Sequence, residues 1–359
     1  MRSTIYLVVA AVLGSLFAVP CAGAVDAQAL EAAFEATAKY SFGESRAPLS
    51  TVEDAVLAAC DDAERQDALE QRLLGLLAPE TTADCKRFVC RQLAVIGGAA
   101  SAPALAELLP HEEISAHAAR ALGAIPETEA GVALRAALPK LSGEPLIGAI
   151  GALGRRGEGT AVAALSPYLD HEDALVAQAA VVALANIADD DACEALTAAR
   201  EDAPDALALA LADACLECAD RLAAAPGKKA KAKELYQTLA AQDQPGHVRV
   251  AALDALIRMA PRKAARERVL AAWADPEPTV KEAALMWARE LPGKDVTTAF
   301  VERIADAAPE DQARLIDALA DRGDKAAGEA VVAQATSEHE AVRVAAIEAL
   351  GVLGKAKAV

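Results

Sequence analysis

Several groups of residues in this chain have types and spacings that can do chemistry. The His-Glu pairs His111-Glu112, His171-Glu172 and His339-Glu340 each set an imidazole beside a carboxylate, donor types that hold transition metals. Cys215-Leu-Glu-Cys218 has the spacing of a redox pair. Lys228 to Lys233 gathers four lysines, as a nucleic-acid patch or a solvated turn would. Each has a plainer reading, set by the element that carries it. A Cys-x-x-Cys redox pair belongs at a helix start after a strand, whereas the apolar spacing here puts it in mid-helix. No His follows Cys218, so the c-type haem signature is absent. Gly151-Ala-Leu-Gly-Arg-Arg-Gly157 has no strand before it to make a nucleotide loop. No Ser-His-Asp order emerges, nor a pair of acids on one face. The sequence therefore assigns no catalytic, cofactor or metal residues.

The composition fixes what kind of element could carry such residues. Of 359 residues, 94 are Ala and only 11 are aromatic, and the formal charge is −18. This much Ala, Leu and Val excludes a disordered chain. The scarcity of aromatic and β-branched residues argues against a β-sandwich. The acidity argues against nucleic acid as partner, because phosphate contacts dominate such binding. Closely packed helices remain.

The helices repeat. Val248-Arg-Val-Ala-Ala-Leu-Asp-Ala-Leu256 recurs as Val342-Arg-Val-Ala-Ala-Ile-Glu-Ala-Leu350, with looser copies ending at Leu122 and Ala288. Taking the last residue of each copy as an anchor gives Cys60, Leu93, Leu122, Leu153, Leu184, Cys215, Leu256, Ala288, Leu319 and Leu350, spaced 33, 29, 31, 31, 31, 41, 32, 31 and 31 apart. Positions −4, −1, 0 and +3 around each anchor are mostly apolar, one stripe of an amphipathic helix. A second helix follows each anchored one, as at Ala102 to Leu109. Such a pair cannot bury both apolar faces alone, whereas stacked pairs can, which makes a solenoid. The expected fold is all-α, an α-solenoid of about ten stacked helix pairs. The long spacing before Leu256 is expected to hold a flexible turn at Ala225 to Lys233 and a lengthened second helix through Tyr236.

The pattern Val-Arg-x-x-Ala-x-x-Ala-Leu-Gly at Val342 to Gly351, and Ala-x-x-Ala-Leu-Gly at Ala118 to Gly123, resembles HEAT repeats. The similarity is to the short bacterial kind related to phycobilisome-lyase HEAT-like repeats, and it covers roughly 51–353. The stretch Cys85 to Leu109 is also similar to exported bacterial HEAT proteins. The resemblance implies a right-handed solenoid, a binding scaffold with no particular ligand, and an Asp–Arg ladder between units. Asp243 with Arg249 and Asp275 with Lys281 match the ladder spacing, while Ser337 with Arg343 keeps only the base. Within HEAT proteins the iron-dependent deoxyhypusine hydroxylases also use His-Glu pairs, about six residues before the anchor. Here the pairs precede Leu122, Leu184 and Leu350 by 11, 13 and 11 residues, which puts them in turns. His117 lies closer to that placement, but Ala118 follows it.

The ends carry other signals. Arg2, the apolar run Leu7 to Val19 and Ala22-Gly23-Ala24 read as a secretory signal peptide over 1–24. A competing reading lipidates Cys21. The mature chain is expected to be exported, periplasmic or extracellular, with no later span. A capping helix is expected over 25–50 and the repeat array over 51–359, its last repeat incomplete. Of the six remaining cysteines, Cys60 and Cys215 fall in the anchor column and Cys218 at +3. Buried structural thiols and at least one disulfide both stay open. Trp273 and Trp287 are expected in the core.

A solenoid offers its partner a face, and the column two residues before each anchor lies off the apolar stripe. It reads Ala58, Arg91, Arg120, Gly151, Val182, Asp213, Asp254, Met286, Asp317 and Glu348. Arg91, Arg120, Asp213, Asp254, Asp317 and Glu348 are the candidate partner-binding residues, and the acidic members would steer a basic segment of a protein partner. The expected function is an exported, non-catalytic scaffold for protein–protein interaction. The alternatives are a HEAT-like lyase or isomerase, or a repeat module of a larger envelope assembly. Asp254→Ala is expected to be near neutral for stability, within about 0.5 kcal/mol.

Overall fold

The structure, a computed structural model, describes residues 26–201 and 203–353. The signal peptide and Cys21 lie outside the described residues. Among those described there are twenty α-helices and no strand, so the chain is an all-α solenoid. No helix among them is long and apolar enough to cross a membrane. Contacts divide the chain into two compact units, one ending at Asp202 and the other beginning at Ala203.

In the N-terminal unit, α1 (Ala27–Ala38) packs on α2 (Ala47–Ala59). The pairs are then α2 with α3 (Ala63–Gly75), α4 (Ala83–Ile96) with α5 (Ser101–Leu108), and α6 (Glu112–Ala124) with α7 (Thr128–Ala137). They continue as α8 (Gly143–Arg156) with the short α9 (Val162–Leu165), and α10 (Ala174–Ile187) with α11 (Asp190–Glu201). The C-terminal unit holds α12 (Asp205–Ala224) with α13 (Lys229–Leu239), α14 (Gly246–Met259) with α15 (Arg262–Trp273), and α16 (Pro278–Glu290) with α17 (Lys294–Ile304). It ends with α18 (Pro309–Arg322), α19 (Gly328–Gln334) and α20 (Glu340–Leu353).

The anchors behave as the spacing requires. Leu93, Leu122, Leu153, Leu184, Cys215, Leu319 and Leu350 are all buried, as are their −4 and −1 neighbours. In the N-terminal unit the anchored helices α4, α6, α8 and α10 pack tightly on one another, while the second helices α3 and α5, or α5 and α7, touch far less. The anchored helices thus form the closely packed layer of the N-terminal unit. Small residues make the crowding possible. A methyl group on Gly154 would stand 2.6 Å from the Ala183 Cα, and one on Gly123 would stand 3.4 Å from the Ala152 Cα. The Ala wealth of the sequence is thus spent on close helix approach.

Three expectations are corrected. Cys60 is exposed, at the end of α2. The first pair is anchored instead by Val56, with Val52, Ala55 and Ala59 buried around it, because the chain between the first two anchors is longer than the usual repeat. The long spacing before Leu256 extends the first helix of its pair, not the second: α12 has 20 residues against 11 in α13. The ladder runs forward. Arg249 grips Asp275, with Nη1 donating to Oδ1 at 3.0 Å, and Lys281 pairs with Asp311. Each base therefore reaches the acid of the next unit, and Asp243 is not its partner. Arg343 donates to the Ser337 carbonyl at 2.8 Å and the Glu338 carbonyl at 2.9 Å.

The +3 column is mostly apolar, as expected, with two exceptions. It holds Arg156 and Arg322, each at the end of an anchored helix, followed by Gly157 at φ 65° and Gly323 at φ 66°. A left-handed C-cap is cheapest at glycine. The two arginines turn back onto the preceding anchored helix. Arg156 donates to the Leu122 carbonyl at 3.0 Å and the Glu127 carbonyl at 2.9 Å, and to the Ile125 carbonyl. Arg322 donates to the Leu291 carbonyl at 2.6 Å and the Gly293 carbonyl at 3.0 Å, and to the Ala288 carbonyl. Helix ends leave carbonyls without intrahelical partners, and a guanidinium has donors enough to satisfy several at once.

Cys215 and Cys218 are buried in the core columns, as their spacing predicts, and Cys85 and Cys90 are buried outside those columns. Burial pushes the Cys85 thiol up to about 11 and the Cys90 thiol up to about 12. A thiolate is the reactive form. In the native protein at mildly alkaline pH, an alkylating reagent is expected to modify Cys60 while sparing Cys85 and Cys90, which should react only after unfolding. Peptide mass mapping reads the outcome, and equal labelling of Cys60 and Cys90 would contradict this packing.

Candidate functional site

The column two residues before the anchors lies on the surface of the anchored helices. In the N-terminal unit Arg91 on α4 and Arg120 on α6 are exposed. With Val56 as first anchor, the column begins at exposed Asp54, not Ala58. Arg155 on α8 joins the two arginines. Its guanidinium lies over bare backbone, since methyl groups on Gly123 and Gly151 would stand 3.3 and 3.6 Å from its nitrogens. Among the described residues no ion pair uses Arg91, Arg120 or Arg155, whereas Arg87 is tied to Asp84 at 2.6 Å. His117 lies among them. Burial, then Arg91, Arg87 and Arg120, hold its imidazole below the ordinary histidine value, so it is neutral near neutral pH. Burial and the neighbouring Arg120 also lower Arg155. Exposed Val95, Leu175 and Val182 flank this cluster on α4 and α10.

In the C-terminal unit Asp213 on α12, Asp317 on α18 and Glu348 on α20 are exposed. Met286 on α16 is 43% exposed. Asp317 titrates above the ordinary carboxylate value, first because of burial and then because Glu348 and Asp321 stand near. Two acids thus share one corner with Asp321, which Arg289 holds at 2.8 Å.

Asp254 departs from the expectation made for it. Its carboxylate accepts the indole N–H of Trp287 at 2.9 Å and pairs with Arg258 at 2.8 Å. Trp287 is 2% exposed, so Asp254 satisfies a core donor and is not a spare charge of the stripe. Asp254→Ala is therefore expected to cost about 2 kcal/mol, because it strands a buried N–H. Urea unfolding followed by tryptophan fluorescence measures it. A cost below about 0.5 kcal/mol, the range of ordinary surface substitutions, would count against the bond.

His111, His171 and His339 lie in the turns before α6, α10 and α20. The His171 Nδ1 accepts the backbone N–H of Asp173 at 3.0 Å, and the ring stacks on Tyr168. Trp273 and Trp287 are buried, and the Lys281 ammonium stands 5.0 Å from the Trp273 ring centre. Arg155 escaped the sequence reading because it lies two residues after its anchor, in a column that carries no regular pattern.

A family model described as HEAT repeats matches residues 142–217 and 297–359. Among solved structures the chain is similar to an engineered protein, at 20% identity over 91% of this chain and 99% of that one, with a TM-score of 0.37. It is also similar to human deoxyhypusine hydroxylase in complex with glycerol, at 16% identity over 71% and 96%, with a TM-score of 0.34. A Kap121p mutant is 12% identical, with 92% of this chain covering 46% of that one and a TM-score of 0.48. No curated protein matches. The two matched stretches are thus similar to HEAT repeats, and the same helix pair recurs outside them in both units.

Proposed function

We propose that this protein is an exported, non-catalytic scaffold that binds a protein partner across its anchored helices. The observation that carries this reading is the cluster Arg91, Arg120 and Arg155, which lacks carboxylate partners among the described residues and is bordered by exposed Val95, Leu175 and Val182. Apolar side chains supply affinity when buried by a partner. Charges around them orient the encounter and select the partner. The acidic corner of Asp317 and Glu348 suits a basic segment, while Arg91, Arg120 and Arg155 suit carboxylates. Export is supported by the Leu7 to Val19 run and the Ala22-Gly23-Ala24 cleavage site.

Affinity capture from an envelope extract tests the reading. The wild-type chain is set beside Arg91→Gln/Arg120→Gln/Arg155→Gln and Asp317→Asn/Glu348→Gln. At least one variant should lose the captured protein while keeping its helical circular dichroism. Identical capture by all three chains would remove the anchored-helix face as the binding surface. N-terminal sequencing of this protein, purified from the cells that express it, should begin at Val25, and a chain beginning at Met1 would contradict export by cleavage.

A further inference from the structure

The break in the repeat makes a cleft. At the long spacing α12 runs on to Ala224, and α13 begins only at Lys229. The Tyr236 hydroxyl of α13 is bonded to Asp220 on that extension, so α13 follows the lengthened helix. Between α13 and the α14–α15 turn lies a cavity of about 570 Å³. Lys229 and Lys233 line it from α13, and Arg258 and Arg268 from α14 and α15. Met259, Pro261 and Ala264 give it an apolar wall. No carboxylate lines it, in a chain of formal charge −18.

The cations are not equivalent. Arg258 is already paired with Asp254. Lys229, Lys233 and Arg268 take part in no ion pair among the described residues. Three like charges around one concavity repel one another, and a low-dielectric wall concentrates their field inside it. An anion entering the cleft removes that repulsion. The volume falls in the range of ligand pockets, about 300–1,000 Å³, which are mostly apolar with a few placed polar groups. A long polyanion would meet the acidic remainder of the chain, whereas a short segment meets only the local positive field.

We propose that this cleft binds a short acidic peptide segment of a protein partner, with an apolar side chain of that segment against Met259, Pro261 and Ala264 and its carboxylates on Lys229, Lys233 and Arg268. The inference rests on the scaffold reading above, and it names the chemistry of one segment that such a partner would carry.

Fluorescence anisotropy with the mature full-length chain tests it. The probe is a labelled hexapeptide Glu-Glu-Leu-Leu-Glu-Glu, set against Gln-Gln-Leu-Leu-Gln-Gln and Glu-Glu-Ser-Ser-Glu-Glu. The first peptide should bind roughly tenfold or more tighter than either control, with an affinity that falls as salt rises. Lys229→Gln/Lys233→Gln/Arg268→Gln should weaken it by a similar factor. Ala264→Leu, which keeps every charge and fills the cleft, should weaken it too. Equal affinity of the wild type and the triple cleft variant, or no preference among the three peptides, would overturn the cleft as the site. Either result leaves the scaffold reading standing, because capture through the anchored-helix face is measured separately and with different variants.

Discussion

Leu184→Asp is expected to destabilise the N-terminal unit by about 4 kcal/mol or more, whereas Val182→Asp should change its stability by no more than about 0.5 kcal/mol. The two sites are neighbours on α10. Leu184 is 0% exposed, at the anchor of its repeat, and Val182 is 53% exposed, two residues earlier. A carboxylate at 184 would be taken out of water with no basic side chain to meet it, and the leucine's own burial would be lost as well, about 2 kcal/mol. At 182 the carboxylate keeps its water. Because repeat stability is a sum of unit and interface terms, the loss should fall on α10 and the helices packed against it. Urea unfolding by circular dichroism, read alongside amide exchange, distinguishes the two variants. Equal midpoints would mean that the anchors have been assigned to the wrong face.

Arg322→Met should cost about 3 kcal/mol, although methionine keeps most of the stem's packing. The loss comes from the Ala288, Leu291 and Gly293 carbonyls, which would be left without the guanidinium that now donates to all three. Arg322→Lys should recover little of it, since one ammonium cannot fork across carbonyls on successive turns. The same pair of substitutions at Arg156 should behave alike, since its side chain is 4% exposed and reaches the equivalent carbonyls of the preceding repeat. Thermal unfolding measures both. Full rescue by lysine would mean that charge alone acts there, and not the multiple hydrogen bonds.

The repeat could be read from the sequence because stacking forces one apolar column to recur. Leu93, Leu122, Leu153 and Leu184 were all placed correctly, and all are buried. What could not be read depends on which unit a side chain reaches. Arg249 matches its own Asp243 in spacing as well as it matches Asp275, and only the stacking of α14 on the next pair settles the choice. Arg156 and Arg322 interrupt an apolar column, and nothing local says that a buried guanidinium will find carbonyls about thirty residues upstream. Cys60 looked like an anchor because cysteine is often buried. One helical turn earlier, Val56 takes the place, and the cysteine is left at the helix end. In the candidate surface, exposure of Arg91, Arg120, Asp213, Asp317 and Glu348 followed from the helical period. The engagement of Asp254 did not, because its partner Trp287 belongs to the next repeat.

Binding of the partner by the anchored helices can be measured directly. A photo-crosslinking side chain is placed at Val182 on α10 or at Val132 on α7, positions that are 53% and 54% exposed. Matched exposure leaves the face as the difference between them. In intact cells the probe at Val182 should give a discrete protein adduct, and the probe at Val132 should give none. Adducts of equal yield at the two positions, or an adduct at Val132 alone, would contradict binding across the anchored helices.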